Sequence, residues 1–266
     1  MSFFTVAPLW LVAIILVGLA TLIAMVGPVI IRKRMSFEQL RTNNEVAGFK
    51  FATVGVIYAV LLGFAVIVVW EKFSEAENDV ALEAGAAATI YRLASGIKGD
   101  TGTALREGMS AYLRLAIAED WPAMKHGRGS VVVTRALGDL YTALLRYEPP
   151  PPAQAVFAEI LHQLDVLTQA RRARIVMSAG IVPGIVWLVL FGGAFIVIGF
   201  TFFFGTANLR AQTLMTGALT VLIFSGLLVI IAIDHPFAGS VRVEPEPLET
   251  VLGDLGVASP QPPPAR

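Results

Sequence analysis

The chain has 266 residues, of which 56% are hydrophobic and only 15% charged, and its mean hydropathy is +0.71. A soluble domain carries charge on nearer a quarter of its residues, so an ordinary water-soluble protein is excluded. The formal net charge is zero and there is no cysteine, which leaves no basic excess for nucleic acid and removes disulfides, thiolate metal sites and cysteine nucleophiles.

The first apolar run extends from about Val6 to Ile31, with no Lys or Arg before it, and stops at Arg32, Lys33 and Arg34. At about 25 residues it is long enough to cross a hydrocarbon layer of roughly 30 Å, so a retained membrane helix is expected here, not a cleaved signal peptide. After a short polar loop, a second span runs from about Phe51 to Trp70. Its helical pattern continues past Glu71 and Lys72 without Gly or Pro. Phe73, Ala76, Val80, Ala84, Ala87, Tyr91 and Ala94 recur at three and four, with Glu75, Glu77, Asp79 and Glu83 expected on other faces.

Gly99 to Gly102 breaks that helix. A second amphipathic stretch, about Thr103 to Ala118, places Leu105, Met109, Tyr112, Leu113 and Ala116 on one side, and Trp121 and Pro122 are expected to close it. A third stretch covers about Val131 to Tyr147 and ends at the proline run Pro149 to Pro152, which no helix crosses. A fourth, from Ala153, turns Val156, Ile160, Leu164 and Leu167 inward, passes Arg171, Arg172 and Arg174, and is expected to run straight into the third span.

That span, about Ile175 to Phe204, must tilt or kink because it is long and contains Gly180, Pro183, Gly184, Gly192, Gly193 and Gly199. The fourth span covers about Ala211 to Ile233 and exits through Asp234, His235 and Pro236. A polar, Pro-rich tail follows, its last residues expected to be disordered. The predicted fold is all-α: an integral membrane protein with four transmembrane helices and a helical extramembrane domain between the second and third. Its segments are 1–71 (spans one and two), 72–174 (the domain), 175–236 (spans three and four) and 237–266 (the tail). A plasma-membrane location and a bilayer as partner follow.

Four crossings put both termini and the central domain on one side. Positive charge in the short connections, Arg32, Lys33, Arg34, Arg41, Lys50 and Arg210, marks the other side as cytoplasmic and the domain as external.

Three features are candidates for function. Gly48, Ala52, Gly55, Ala59 and Gly63 form a small-residue stripe where helix backbones approach closely, either inside one subunit or as a subunit interface or pore-lining face; Gly180 and Gly184 repeat the pattern on the third span. Gln212, Thr216 and Thr220 fall at four-residue spacing, a polar face that lines a hydrated path or bonds back to its own helix. Glu71, Arg171, Arg172, Arg174 and Asp234 gather at the domain end of the spans, either as an ion-pair belt setting helix register or as an ion-binding vestibule. No phosphate-binding loop, dinucleotide glycine pattern, HExxH helix or Gly-x-Ser-x-Gly elbow is present, so no catalytic residue, cofactor or metal site is expected and the chain does not read as an enzyme.

The segment Asn44-Glu45-Val46-Ala47-Gly48, the run from Gly55 to Phe64 leading to Trp70-Glu71, and the exit Asp234-His235-Pro236-Phe237-Ala238-Gly239 resemble a bacterial bestrophin-like membrane family, over about Glu45 to Leu248. Bestrophins are pentameric anion channels whose second helices line a narrow hydrophobic neck. The resemblance therefore implies a homo-oligomer that passes ions, with neck candidates Leu62, Val66 and Val69 gating by dewetting. It also implies a cytoplasmic central domain, opposite to the charge count. The acidic run that binds calcium in animal bestrophins has no counterpart here, since Arg242, Glu244 and Glu246 alternate with Val243, Pro245 and Pro247. The alternative function is a non-conducting scaffold or sensor whose central domain binds a protein partner.

Overall fold

The computed structural model describes residues 8–42 and 44–256. The expected start of the first span at Val6 and Ala7 and the end of the tail from 257 lie outside them. Ten helices follow in chain order among the described residues: α1 (Leu9–Arg34), α2 (Phe37–Thr42), α3 (Asn44–Ala94), α4 (Asp100–Leu115), α5 (Trp121–Met124), α6 (Val131–Leu145), α7 (Gln154–Met177), α8 (Gly184–Phe202), α9 (Leu209–Ile233) and α10 (Glu246–Asp254). There is no strand among them, and α1, α3, α8 and α9 are long and apolar enough to cross a membrane. The protein is thus an all-α membrane protein with a helical region between its second and third candidate spans.

Two compact units divide the chain. The first comprises 1–71, 181–234 and 239–241, and the second 72–180, 235–238 and 242–266. In the first, α9 packs along α1, with α8 against both. Glycines set how closely these helices approach: a methyl on Gly27 would collide with the Phe202 ring, and one on Gly193 with the Tyr58 ring. Tyr58 also donates from its hydroxyl to the Leu190 carbonyl at 3.1 Å. Apolar hydrocarbon gives helices no hydrophobic reason to associate, so such close fits and internal hydrogen bonds carry the association.

The second unit packs α4 against α6, with α10 laid on α4. The inward rows of α3, α4 and α7 keep helical spacing: Ala76, Val80, Ala87, Ile90 and Ala94; Leu105, Met109, Tyr112 and Ala116; Ile160, Leu164 and Leu167. Trp121 donates from its indole nitrogen to the Val243 carbonyl at 3.2 Å and meets the Phe237 ring edge-on at a centroid distance of 6.0 Å. Leu248 and Leu252 of α10 are fully buried. The C-terminal segment is part of this core.

Several boundaries differ from the sequence expectation. The polar loop after α1 contains the helix α2, and the tail contains α10. Trp121 and Pro122 do not end the second domain helix; a wide π turn, Ala116–Asp120, leads directly into α5, whose first turn contains Pro122. The fourth domain helix does not run into the third span. It stops at Met177, Gly180 takes a left-handed φ of 108°, and Pro183 opens α8. The backbone amides of Ile181 and Val182, freed by the break, donate to the Asp234 carboxylate at 3.2 and 2.7 Å.

The adjacent glycines of α8 provide a paired test. Gly193→Ala must displace Tyr58 and should lower the melting temperature in detergent. Gly192→Ala meets nothing within 4 Å and, given alanine's helix propensity advantage of about 1 kcal/mol, should leave stability unchanged or raise it.

Candidate functional site

The second-span part of α3 presents three faces. Tyr58 and Val69 are buried against the first unit, and Leu62 points the same way: a methyl on Gly226 would stand 3.0 Å from its Cδ2. About a quarter-turn round lies the small-residue stripe. Ala52, Ala59 and Gly63 are exposed, Gly48 and Gly55 partly so, and a methyl on Gly55 or Gly63 would meet nothing within 4 Å. Directly away from Tyr58 stand Val56, Val60 and Ile67, each more than half exposed. Helical spacing of 100° per residue separates these faces. The fold of the chain therefore uses the Tyr58 face and leaves the stripe and the Val56 row uncovered. Of the neck candidates, Val69 is 2% exposed, Leu62 is partly buried on that same inward face, and Val66, also partly buried, shares the bearing of the stripe.

The polar face of α9 is turned inward. Gln212, Thr216 and Thr220 are all buried. The Gln212 amide donates to the Phe204 carbonyl at 2.7 Å and the Thr201 carbonyl at 3.2 Å, while its Oε1 accepts from the Thr206 hydroxyl at 3.2 Å. Thr216 donates to the Thr201 hydroxyl at 3.2 Å, and Thr220 to the Thr216 carbonyl one turn back at 2.8 Å. The Gln212 amide thereby satisfies carbonyls at and just beyond the C-terminal end of α8. The nearby Asn44 side chain makes a reciprocal pair with Gly205, donating to its carbonyl at 2.8 Å and accepting from its amide at 2.9 Å. Gly184 and Gly180 sit at the α8 entry and in the preceding turn, not within a helix interface.

The charges expected as a boundary belt separate into different roles. Arg171 and Arg174 lie in the interior of the second unit. Arg174 grips Glu83 with two of its guanidinium nitrogens, Nε at 2.7 Å and Nη2 at 2.9 Å, and reaches Asp120 at 3.2 Å. Arg171 holds Asp120 at 2.8 and 3.1 Å and also donates to Ser130 and Thr134, each at 3.2 Å. Tyr112 donates to Glu83 at 2.7 Å, the Ser130 amide donates to Asp120 at 2.7 Å, and the Arg174 guanidinium lies 4.6 Å from the Trp121 ring centroid. Two arginines and two carboxylates cancel. Burial alone would lower the pKa of Arg174, but Glu83 overrides it and holds the guanidinium charged; burial, then Glu83, pushes the Tyr112 phenol well above its usual range. Arg172 and Glu71 are exposed, and Asp234 caps the α8 turn.

Glu83, expected on a polar face, is fully buried. The signal was present: 76, 80, 83, 87, 90 and 94 form one continuous helical row, and Arg171 and Arg174 extend the row 160, 164, 167. Asp120 carried no comparable sign, because the π turn rotates it into the core. One turn before Glu83, Asp79 is half-buried, and its Oδ2 has no hydrogen-bond partner among the described residues. Burial first, then Glu75 and Glu83, raise its pKa above the ordinary 3.8, with Lys72 opposing. Among the described residues no group of three or more His, Asp or Glu is placed to hold a metal ion.

Four apolar helices, a helical domain between the second and third, and an uncovered second-span face define a multi-pass α-helical membrane protein. A family model for the Bestrophin-like domain matches residues 14–248, and the chain belongs to that family. Its fold is also similar to crystal structures of a bacterial bestrophin homologue from Klebsiella pneumoniae. One, solved by zinc anomalous phasing, is 15% identical with a TM-score of 0.65, covering 90% of this chain and 98% of that one. A point variant is 15% identical with a TM-score of 0.68, covering 90% and 97%. Comparison with curated protein sequences finds no significant match.

Arg174→Met leaves Glu83 and half of Asp120 uncompensated in the interior and should cost about 3–5 kcal/mol, whereas exposed Arg172→Met should stay within about 0.5 kcal/mol, read by denaturant unfolding of the purified protein. Asp79 has a native pKa raised above its unfolded one, so its charge destabilises the fold above the native pKa and the penalty vanishes as pH falls below the unfolded value. Asp79→Asn should accordingly raise the melting temperature at neutral pH, with the gain shrinking on acidification.

Proposed function

We propose that the protein is a homo-oligomeric ion channel of the plasma membrane, selective for anions as bestrophins are, with α3 of each copy facing a shared axis. The observation that supports this reading is the uncovered second-span face. An apolar helix that contributes one face to its own subunit and offers a glycine stripe next to a row of valine and isoleucine is suited to receive a neighbouring copy on the stripe and to line a narrow apolar constriction with the adjoining row. The neck is assigned to Val56, Val60 and Ile67, while Val66 falls on the stripe side of the helix. Leu62 and Val69 act instead in subunit packing. Gln212, Thr216 and Thr220 stay out of the path, since their hydrogen-bonding groups are spent inside the subunit. The burial of that polar face is the feature that favours the rival reading, a non-conducting scaffold.

Halide flux into liposomes containing the purified protein separates the two. Val60→Ala with Ile67→Ala should widen the constriction and change flux with little loss of stability, while Val69→Ala should lower stability by about 1–3 kcal/mol, in the range expected for a buried methyl deletion. Gly55→Leu with Gly63→Leu should reduce the oligomeric mass in detergent. Absence of protein-dependent flux across voltage and pH would leave the scaffold.

A further inference from the structure

A groove of about 700 Å³ runs along the first unit, lined by Ile23, Gly27 and Ile30 of α1, Phe195 and Gly199 of α8 and Phe224 of α9 among others, all of them apolar. Its α1 wall reaches from Ile15 to Ile30, about 22 Å at the helical rise, which lies within one hydrocarbon thickness of roughly 30 Å. Water has no partner in such a groove, and a long, narrow apolar space open to the membrane matches an extended acyl chain. The Phe202 ring, which closes onto the α1 backbone because Gly27 lacks a side chain, supplies part of the wall.

The chemistry at one end of the groove is different. The rows of α1 that line it, Ile23-Val26-Ile30 and Ile23-Gly27-Ile30, continue three and four residues on to Lys33 and Arg34, both exposed. Neither side chain makes a hydrogen bond or ion pair with a described residue. Arg32, on another face, is committed: it donates to the Thr206 carbonyl at 3.3 Å and its guanidinium lies 4.6 Å from the Phe37 ring centroid. An apolar groove that ends in two available cations at the border of a membrane span has the charge and shape of a phospholipid with an anionic head.

We propose that this groove is a binding site for one anionic phospholipid, an acyl chain lying between α1 and α8 and the phosphate held at Lys33 and Arg34. Occupancy would fill the space between the first and third spans and link the lipid composition of the membrane to the packing of the first unit. The assignment does not depend on ion conduction.

Gly199 provides a clean variant, because it lines the groove and a Cβ added there meets nothing within 4 Å, so a larger side chain starts from open space. The full-length protein would be taken from vesicles of phosphatidylglycerol or phosphatidylcholine and its retained lipid counted by native mass spectrometry, with thermal melting as the folding control. Wild-type protein should retain phosphatidylglycerol in preference to phosphatidylcholine by about thirtyfold, the effect of two cations near a membrane surface. Gly199→Leu should lower retention of both lipids at an unchanged melting temperature. Lys33→Gln with Arg34→Gln should abolish the preference and leave phosphatidylcholine retention as it was. Equal retention of both lipids by the wild type, or retention unaffected by Gly199→Leu, overturns the proposal. A Gly199→Leu protein of altered oligomeric mass also overturns it, since the groove would then be a seat for a second copy.

Discussion

Two guanidinium groups and two carboxylates, cancelling in charge and withdrawn from water, constrain the second unit more than any apolar contact does. Removing such ions from solvent costs several kcal/mol each, and only close, directional pairing recovers it. That requirement is strict. Glu83 belongs to α3, Asp120 to the π turn after α4, Ser130 and Thr134 to the start of α6, and Arg171 and Arg174 to α7. A shift of one helix by a residue would leave a carboxylate or guanidinium without its partner, so the network selects one register for four segments where leucine and alanine packing alone would accept several. The π turn follows from the same demand: it brings Asp120 to face both arginines. Trp121 and Met124 then close over Arg174, and the Trp121 indole carries the constraint on to the C-terminal segment through Val243.

The first unit meets a different physical problem. Its helices are apolar nearly all round, so burial against one another gains little over burial in lipid. What distinguishes one packing from another is shape and unpaired polarity. Glycines 27, 193 and 217 let Phe202, Tyr58 and Met25 close onto neighbouring backbones. Gln212, Asn44 and Asp234 saturate amides and carbonyls that helix ends leave open, which a hydrocarbon surrounding cannot do. The same economy explains why the polar side chains of α9 point inward.

Membership in the Bestrophin-like family and the similarity to bestrophin homologue structures speak to architecture. Function has to be argued from particular surfaces. The surface that matters is the part of α3 the chain's own fold does not use, because a helix packed on all sides has nothing to offer a neighbour or a pathway. That α3 leaves both a flat glycine stripe and an apolar row open is a property of this chain's own packing, and the groove with its two cations beside α1 is another.

Much of the architecture was legible from the chain alone. Apolar runs of span length report a membrane directly, since no other environment accepts them, and Gly, Pro and the three-four spacing mark where domain helices start, stop and turn inward. Side-chain direction within those runs was not legible. Where every residue is apolar, periodicity carries no information, so the inward turn of Leu62 and Val69 and the open row at Val56, Val60 and Ile67 depend on which helix packs where. Glu83 and the two arginines lay on apolar rows and could have been read as buried, but their partner Asp120 could not, because a π turn breaks the count of 3.6 residues. The sequence by itself determined the solvent each segment requires; the tertiary structure decided which faces meet, because pairing of buried charges and close glycine contacts depend on residues far apart in the chain.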